Sequence, residues 1–310
     1  MPLYERAADS FINTKDSHFL MKDSARKWNE RSEAFGTLFG YVVFARRLEL
    51  CLRAALGVET QDREGLGSLF SDLTDVRNGF SNVRRKIKIE LSESLRGSNI
   101  IDCGAGTGSM MGFIEWVDLP YPRQFVLVEP NPEYFNFMKK RIEDKDKENN
   151  ATSLIALSKT IHDRHADSES IVYEVEDTRN GNLSEIQIIN STVDGSTAFP
   201  IAQEAVLTFV GVSKYYSASE FKEMIDVASR KLIETTPDRV AFNTQGTGDV
   251  IPSVSHFERS MYRTAKRFHQ IAISGKPNLH NFYTREDLDS FGRQYNVAHN
   301  FGNAIVVSLT

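Results

Sequence analysis

The sequence predicts an α/β protein built on a doubly wound, largely parallel sheet with helices on both faces. Three observations carry that expectation. An apolar run, Ile100-Ile101-Asp102-Cys103, opens into the turn Gly104-Ala105-Gly106-Thr107-Gly108. A second apolar run, Phe125-Val126-Leu127-Val128, ends in Glu129, 21 positions after Gly108. Beyond it, short β-branched runs alternate with capped, polar helical patterns, the arrangement that lets helices cover both faces of a parallel sheet.

The chain begins differently. From Ser24 to Gly57 the pattern is helical, with Phe44, Leu48, Leu52 and Leu56 recurring every four positions and Gly57 placed as a C-cap. A second helical stretch runs through Leu69, Phe70, Leu73 and Val76, then from Phe80 to Leu95, with breaks near Gly65, Gly67 and Gly79. Residues 1–95 therefore read as a helical N-terminal segment and 96–310 as the sheet domain. The helices either cover an edge of the sheet or make a homodimer contact, and periodicity does not separate these uses. The basic run Arg84-Arg85-Lys86-x-Lys88 reads as a solvated helix face.

At the glycine turn, three glycines at alternate positions strip every Cβ from one side of the backbone and open φ values closed to other residues. A dinucleotide fingerprint, G-x-G-x-x-G, would need its third glycine at position 109, where the chain has Ser109. An acid at the end of the second strand of such a sheet accepts hydrogen bonds from ribose hydroxyls, the role expected of Glu129. Pro130-Asn131-Pro132 then turns the chain into the helix-forming stretch Glu133 to Lys147. Ile186 to Val193 reads as a third strand ending at Asp194, followed by Ala198-Phe199-Pro200 and a fourth strand within Ala205 to Val212. Residues 146–185, rich in polar groups, read as an insertion ahead of that third strand. Arg239 to Asn243 reads as a fifth strand and Ala304 to Leu309 as a C-terminal one. Between them Ser217-x-x-Glu220 and Thr284-x-x-Asp287 mark helix starts, the first a full capping box by residue type.

The pattern Asp-x-Gly-x-Gly-x-Gly at 102–108, with Glu129, Asp194 and Pro200 behind it, resembles the class I S-adenosylmethionine-dependent methyltransferases over the last two thirds of the chain. That resemblance implies a seven-stranded Rossmann-like sheet, S-adenosyl-L-methionine as cofactor and, as a further use for the helices of residues 1–95, part of a lid over the substrate pocket. It places Asp102 near the cofactor's amino-acid end, Gly104, Ala105, Gly106 and Gly108 in the turn, and Glu129 on the ribose with Pro130 beside it. It puts Asp194 near the adenine amino group, and Phe209, at the end of the fourth strand, in the same cofactor-binding set. The chain departs from the family in the lateness of its third strand. It also departs from the amide-methylating members, because Gly211-Val212-Ser213-Lys214 stand where their Asn-Pro-Pro-Tyr tetrad would be.

Ligands of doubly wound sheets bind beyond the C-terminal ends of the strands. The substrate-facing segments are then 213–216, with Tyr215 and Tyr216, and the insertion 244–283, with Tyr262 and Tyr283. The insertion interleaves aromatics with His256, Arg259, Arg263, Lys266, Arg267 and His269. It reads either as a wall for an aromatic or anionic metabolite or as an amphipathic helix with a basic outer face. If the acceptor needs a general base, the candidates are His256, His269 and His280.

Composition bounds the partners. A net charge of −5 argues against a long nucleic-acid ligand. Two cysteines, Cys51 and Cys103, make no disulfide framework and read as packed thiols. No metal site is expected, His162 and His165 standing alone in a polar stretch. No apolar run reaches the ~20 residues that span a bilayer, and with no signal-peptide core after Met1 the expected location is cytoplasmic. The reading is a methyltransferase acting at oxygen or nitrogen of a small-molecule metabolite. A non-catalytic module of the same fold and a protein or tRNA methyltransferase are the alternatives.

Overall fold

The computed structural model describes residues 48–58, 79–147, 155–165, 168–177, 181–193, 199, 205–213, 216–232, 239–243, 285–294, 296–300 and 304–308. Its helices are α1 (48–56), α2 (Gly79–Arg96), α3 (Ser109–Val117), α4 (Pro132–Lys147), α5 (Ala218–Arg230) and α6 (Arg285–Gln294). Its strands are β1 (Asn99–Cys103), β2 (Gln124–Val128), β3 (Ile155–His165), β4 (Ser168–Asp177), β5 (Asn182–Asn190), β6 (Val206–Phe209), β7 (Arg239–Asn243), β8 (Asn296–Asn300) and β9 (Ala304–Ser308).

Among the described residues nine strands form one sheet in the order β3-β4-β5-β2-β1-β6-β7-β9-β8. The heart, β5-β2-β1-β6-β7, is parallel, and both flanks are antiparallel. This corrects the seven strands expected from the sequence. The extra pair, β3 and β4, comes from the 146–185 stretch, which is not a loop insertion but a hairpin added outside β5. Its signal was period two: Ile171, Tyr173 and Val175 are buried under one face of the sheet, while Val172, Glu174 and Glu176 between and beyond them are only half-buried or exposed.

Strand residues alternate between two cores, as a sheet covered on both sides requires. Ile100, Phe125, Leu127, Ile186 and Ile188 pack with α1, α2, α3 and α4, through Leu48, Leu52, Leu91, Ile114 and Phe135 among others. Ile101, Val126, Val128, Leu207 and Val240 pack on the other side with α5 and Phe291 of α6. There the Phe221 ring meets Phe209 at 5.4 Å and Phe242 at 4.9 Å, both edge-on, a geometry worth about 0.5–1.5 kcal/mol per pair beyond burial.

Two of the three expected caps form, and the third, at Thr284, lies outside the described residues. Gly57 closes α1 at φ 67°, with Gly57 N–H donating to the Ala54 carbonyl and Val58 N–H to that of Arg53, the paired bonds of a Schellman motif. Ser217 and Glu220 exchange the two bonds of a capping box at the start of α5. Both cysteines are buried free thiols. The apolar stripe of α1 turns onto the sheet, where Ala54 and Ala55 pack with Ala241 of β7. Among the described residues no helix is long and apolar enough to cross a membrane.

Candidate functional site

The parallel heart has one switch point. From β1 the sheet grows through β2 to β5 on one side and through β6 to β7 on the other, so the chain leaving β1 and the chain leaving β6 diverge around a crevice. The glycine turn occupies that end of β1. Gly104 and Ala105 donate their N–H groups to the Val128 carbonyl at 2.8 and 3.0 Å, which ties the start of the turn to the end of β2.

The glycines are required for different reasons. Gly104 has φ 75°, and a Cβ there would lie 2.6 Å from Cγ2 of Val212, the loop residue beyond β6. Here the two sides of the crevice touch. Gly106 has φ 59°, yet a Cβ there would meet nothing within 4 Å among the described residues. A turn needs such an open side if a ligand is to lie against it. Gly108, also left-handed, is the N-cap of α3 and has no side chain to cap it. The first N–H groups of α3 therefore open from this turn.

Glu129 stands at the end of β2, six per cent exposed. Its Oε2 accepts the Gly106 N–H at 2.7 Å and its Oε1 the Asn131 N–H at 2.9 Å. Its main chain is pinned as well, the N–H donating to the Ile189 carbonyl and the carbonyl accepting from Asn190 Nδ2, both at 2.9 Å. Burial pushes the Glu129 carboxyl up to about 7; the two backbone donors pull the other way, and the charge of Asp102 adds to the rise. Asp102, one per cent exposed, accepts from the Thr208 hydroxyl at 2.8 Å. Burial likewise pushes its carboxyl up to about 7, against that hydrogen bond. Cys103 beside it is driven well above the usual thiol range by burial and then by Asp102, so it is no nucleophile at neutral pH.

The sequence-derived site residues fall into three groups. Asp102, Gly104, Ala105, Gly106, Gly108, Glu129 and Pro130 come together around the turn. Phe209 does not join them: strand alternation turns Thr208 toward Asp102 and Phe209 into the core beneath α5, fully buried. Tyr216 is seven per cent exposed and packs in that same core, which corrects its placement as an open substrate wall. Asp194, Tyr215, His256, Tyr262, His269, His280 and Tyr283 lie outside the described residues. Among the described residues no group of three or more His, Cys, Asp or Glu side chains could hold a metal ion. A surface groove of about 580 Å³ between α5 and α6 shares no residue with the glycine turn. Thr208 is the site residue that sequence reasoning missed, because its role depends on the register of two strands 106 positions apart.

No protein-family profile matches the chain, and no curated protein matches it in sequence. Solved structures of related shape include a possible exported protein from Bordetella parapertussis, at 10% identity and TM-score 0.41, covering 75% of this chain and 67% of that one. The small RNA methyltransferase HEN1 aligns at 13% identity and TM-score 0.40, over 75% of this chain and 24% of its own. The S-adenosylmethionine-dependent methyltransferase SibL aligns at 10% identity and TM-score 0.40, over 75% of this chain and 55% of its own. The chain thus spans about a quarter of the one enzyme and about half of the other. Likeness at this level says nothing of activity.

Proposed function

We propose that the chain is a class I S-adenosylmethionine-dependent methyltransferase, acting at oxygen or nitrogen of a small-molecule metabolite. One observation carries the reading: a buried glutamate at the end of β2 grips the middle of a left-handed glycine turn that is open on its other side. The residues present fit the cofactor. The Gly106 face is a cradle that a side chain would have to share, and Glu129 keeps lone pairs for hydroxyl donors beyond its two backbone bonds. Asp102 is a buried acid whose one donor among the described residues is Thr208.

When bound, S-adenosylmethionine supplies a methyl group on a positively charged sulfur. The protein's part is to bind and align. The turn residues and Glu129 hold the nucleoside end, and Asp102 favours a cationic or hydroxyl-bearing group by its charge. Alignment of acceptor and methyl accounts for most of the acceleration in such displacements, so no fixed catalytic residue is needed unless the acceptor carries a proton at neutral pH. In that case His256, His269 and His280 are the proposed bases, and Tyr215, Tyr262 and Tyr283 the proposed walls. The 1–95 segment serves as cover or lid, and the location proposed is the cytoplasm.

Calorimetric titration with S-adenosylmethionine, its demethylated product and NAD tests the reading. Micromolar binding of the first two without NAD supports it, and turnover on a small acceptor then completes it. Binding without turnover on any acceptor favours a non-catalytic module, and no binding of either ligand sinks the proposal.

A further inference from the structure

We propose that Thr208 is a positioning residue of this site: its hydroxyl, donated across the β1·β6 ladder, orients the Asp102 carboxylate and holds it ready for a cationic or hydroxyl-bearing group of the cofactor. This rests on the cofactor reading above and extends it to a residue outside the glycine motif. Asp102 and Thr208 are register partners on adjacent parallel strands. Thr208 is fully buried and Asp102 one per cent exposed, and Oγ1 to Oδ1 is 2.8 Å. The competing acceptor for the same proton, the Ile101 carbonyl, is 3.5 Å away, so the carboxylate takes it.

Among the described residues Thr208 is the one donor to Asp102, and no Lys, Arg or His pairs with that carboxylate. An acid this deeply buried with a single donor is poised between its two protonation states. Burial raises it, the Thr208 hydroxyl lowers it, and the titratable groups near it are Glu129 and Cys103, neither of them cationic. Valine, nearly isosteric with threonine and equally suited to a strand, would fill the same space. The hydroxyl therefore has a purpose beyond packing: it fixes one carboxylate oxygen and leaves the other for a ligand.

The experiment uses the full chain with Thr208→Val, Thr208→Ser and Asp102→Asn. The first readout needs no cofactor: the Asp102 carboxyl band is titrated by infrared difference against Asp102→Asn, with thermal melts confirming that each variant is folded. Losing a hydrogen bond to a charged acceptor moves the Asp102 midpoint in Thr208→Val up by about one unit, and Thr208→Ser restores it. The second readout is calorimetric affinity for S-adenosylmethionine at pH 8. It weakens roughly 10-fold in Thr208→Val, stays near the wild-type value in Thr208→Ser, and shows no added loss when Thr208→Val is placed on Asp102→Asn. An unmoved midpoint in a folded Thr208→Val, or a Thr208→Ser that behaves like Thr208→Val, overturns the proposal. Wild-type protein that fails to bind S-adenosylmethionine overturns the cofactor reading instead, and the infrared titration still decides whether Thr208 governs Asp102.

Discussion

Two regions of this molecule bury glutamates to the same depth and treat them in opposite ways. At the seam of α1 and α2, Glu49 is three per cent exposed and lies 2.8 Å from Nε of Arg53, itself buried. The same guanidinium pairs with Glu90. Burial works to lower the Arg53 pKa, but the two carboxylates more than offset that and hold it raised. At the end of β2, Glu129 is six per cent exposed and, among the described residues, its carboxylate accepts hydrogen bonds from backbone N–H groups alone. The first acid is complete within the chain. The second has no cation beside it among the described residues, so its charge is costly, and functional sites accumulate acids of this kind.

The largest break in that contrast is Glu129→Ala. On the proposed cofactor reading it removes two charge-assisted ligand bonds, each worth about 1.5–3 kcal/mol before water compensates, and it takes away the acceptor of the Gly106 and Asn131 N–H groups. Calorimetry should show S-adenosylmethionine affinity falling on the order of 100-fold or more, and unchanged affinity would remove the site. Arg53→Met comes next. It strands Glu49 in the interior without its cation, and chemical denaturation should record a loss of about 3–5 kcal/mol. Replacing Glu49 with Met in the same variant should recover most of that loss, because an apolar pair can stand in for a buried ion pair.

A third test is pH. The Asp102 and Glu129 carboxyls are raised in the folded protein from 3.8 and 4.5 to about 7 each, so folding takes up protons between those limits. Stability of the ligand-free protein should therefore fall as pH rises from about 4 through 7, by several kcal/mol in all. Affinity for S-adenosylmethionine should run the other way and tighten from pH 6 to 8, as both acids ionise to meet it. Melts and calorimetry across that window give both slopes, and parallel slopes would contradict the assignment. The smallest effect is expected for Lys88→Ala. Its partner Asp118 is an acid too, but both side chains are more than a third exposed. Water already solvates them, and the change in stability should stay under about 1 kcal/mol.

What the sequence made legible follows the range of the physics involved. The glycine turn, Glu129, the Gly57 cap and the Ser217 box are local: a few neighbouring residues specify each, and each stands where it was expected. The β3·β4 hairpin was readable in the alternation of Ile171, Tyr173 and Val175 but was obscured by Val172, which breaks the apolar-polar alternation, and by the acids Glu169, Glu174 and Glu176 around it. Thr208 and Phe209 show the harder case. They are adjacent in sequence, and which of them faces the site was fixed by the register of β6 on β1, a non-local fact. β8 was missed because five residues, Asn296 to Asn300, carry too little periodicity to stand out from a turn.

The order of the last strands has a consequence for assembly. β9 lies between β7 and β8 and pairs antiparallel with both, so the strand made earlier sits outside the strand made later. β8 cannot join the sheet until β9 exists to receive it. Until then the outer edge of β7 stays open, a row of unpaired backbone groups on a long-range, slowly closed ladder. A chain cut just before Ala304 would lose two strands while deleting one. Synthesis of β9, rather than of the glycine turn, would then time the closing of this flank.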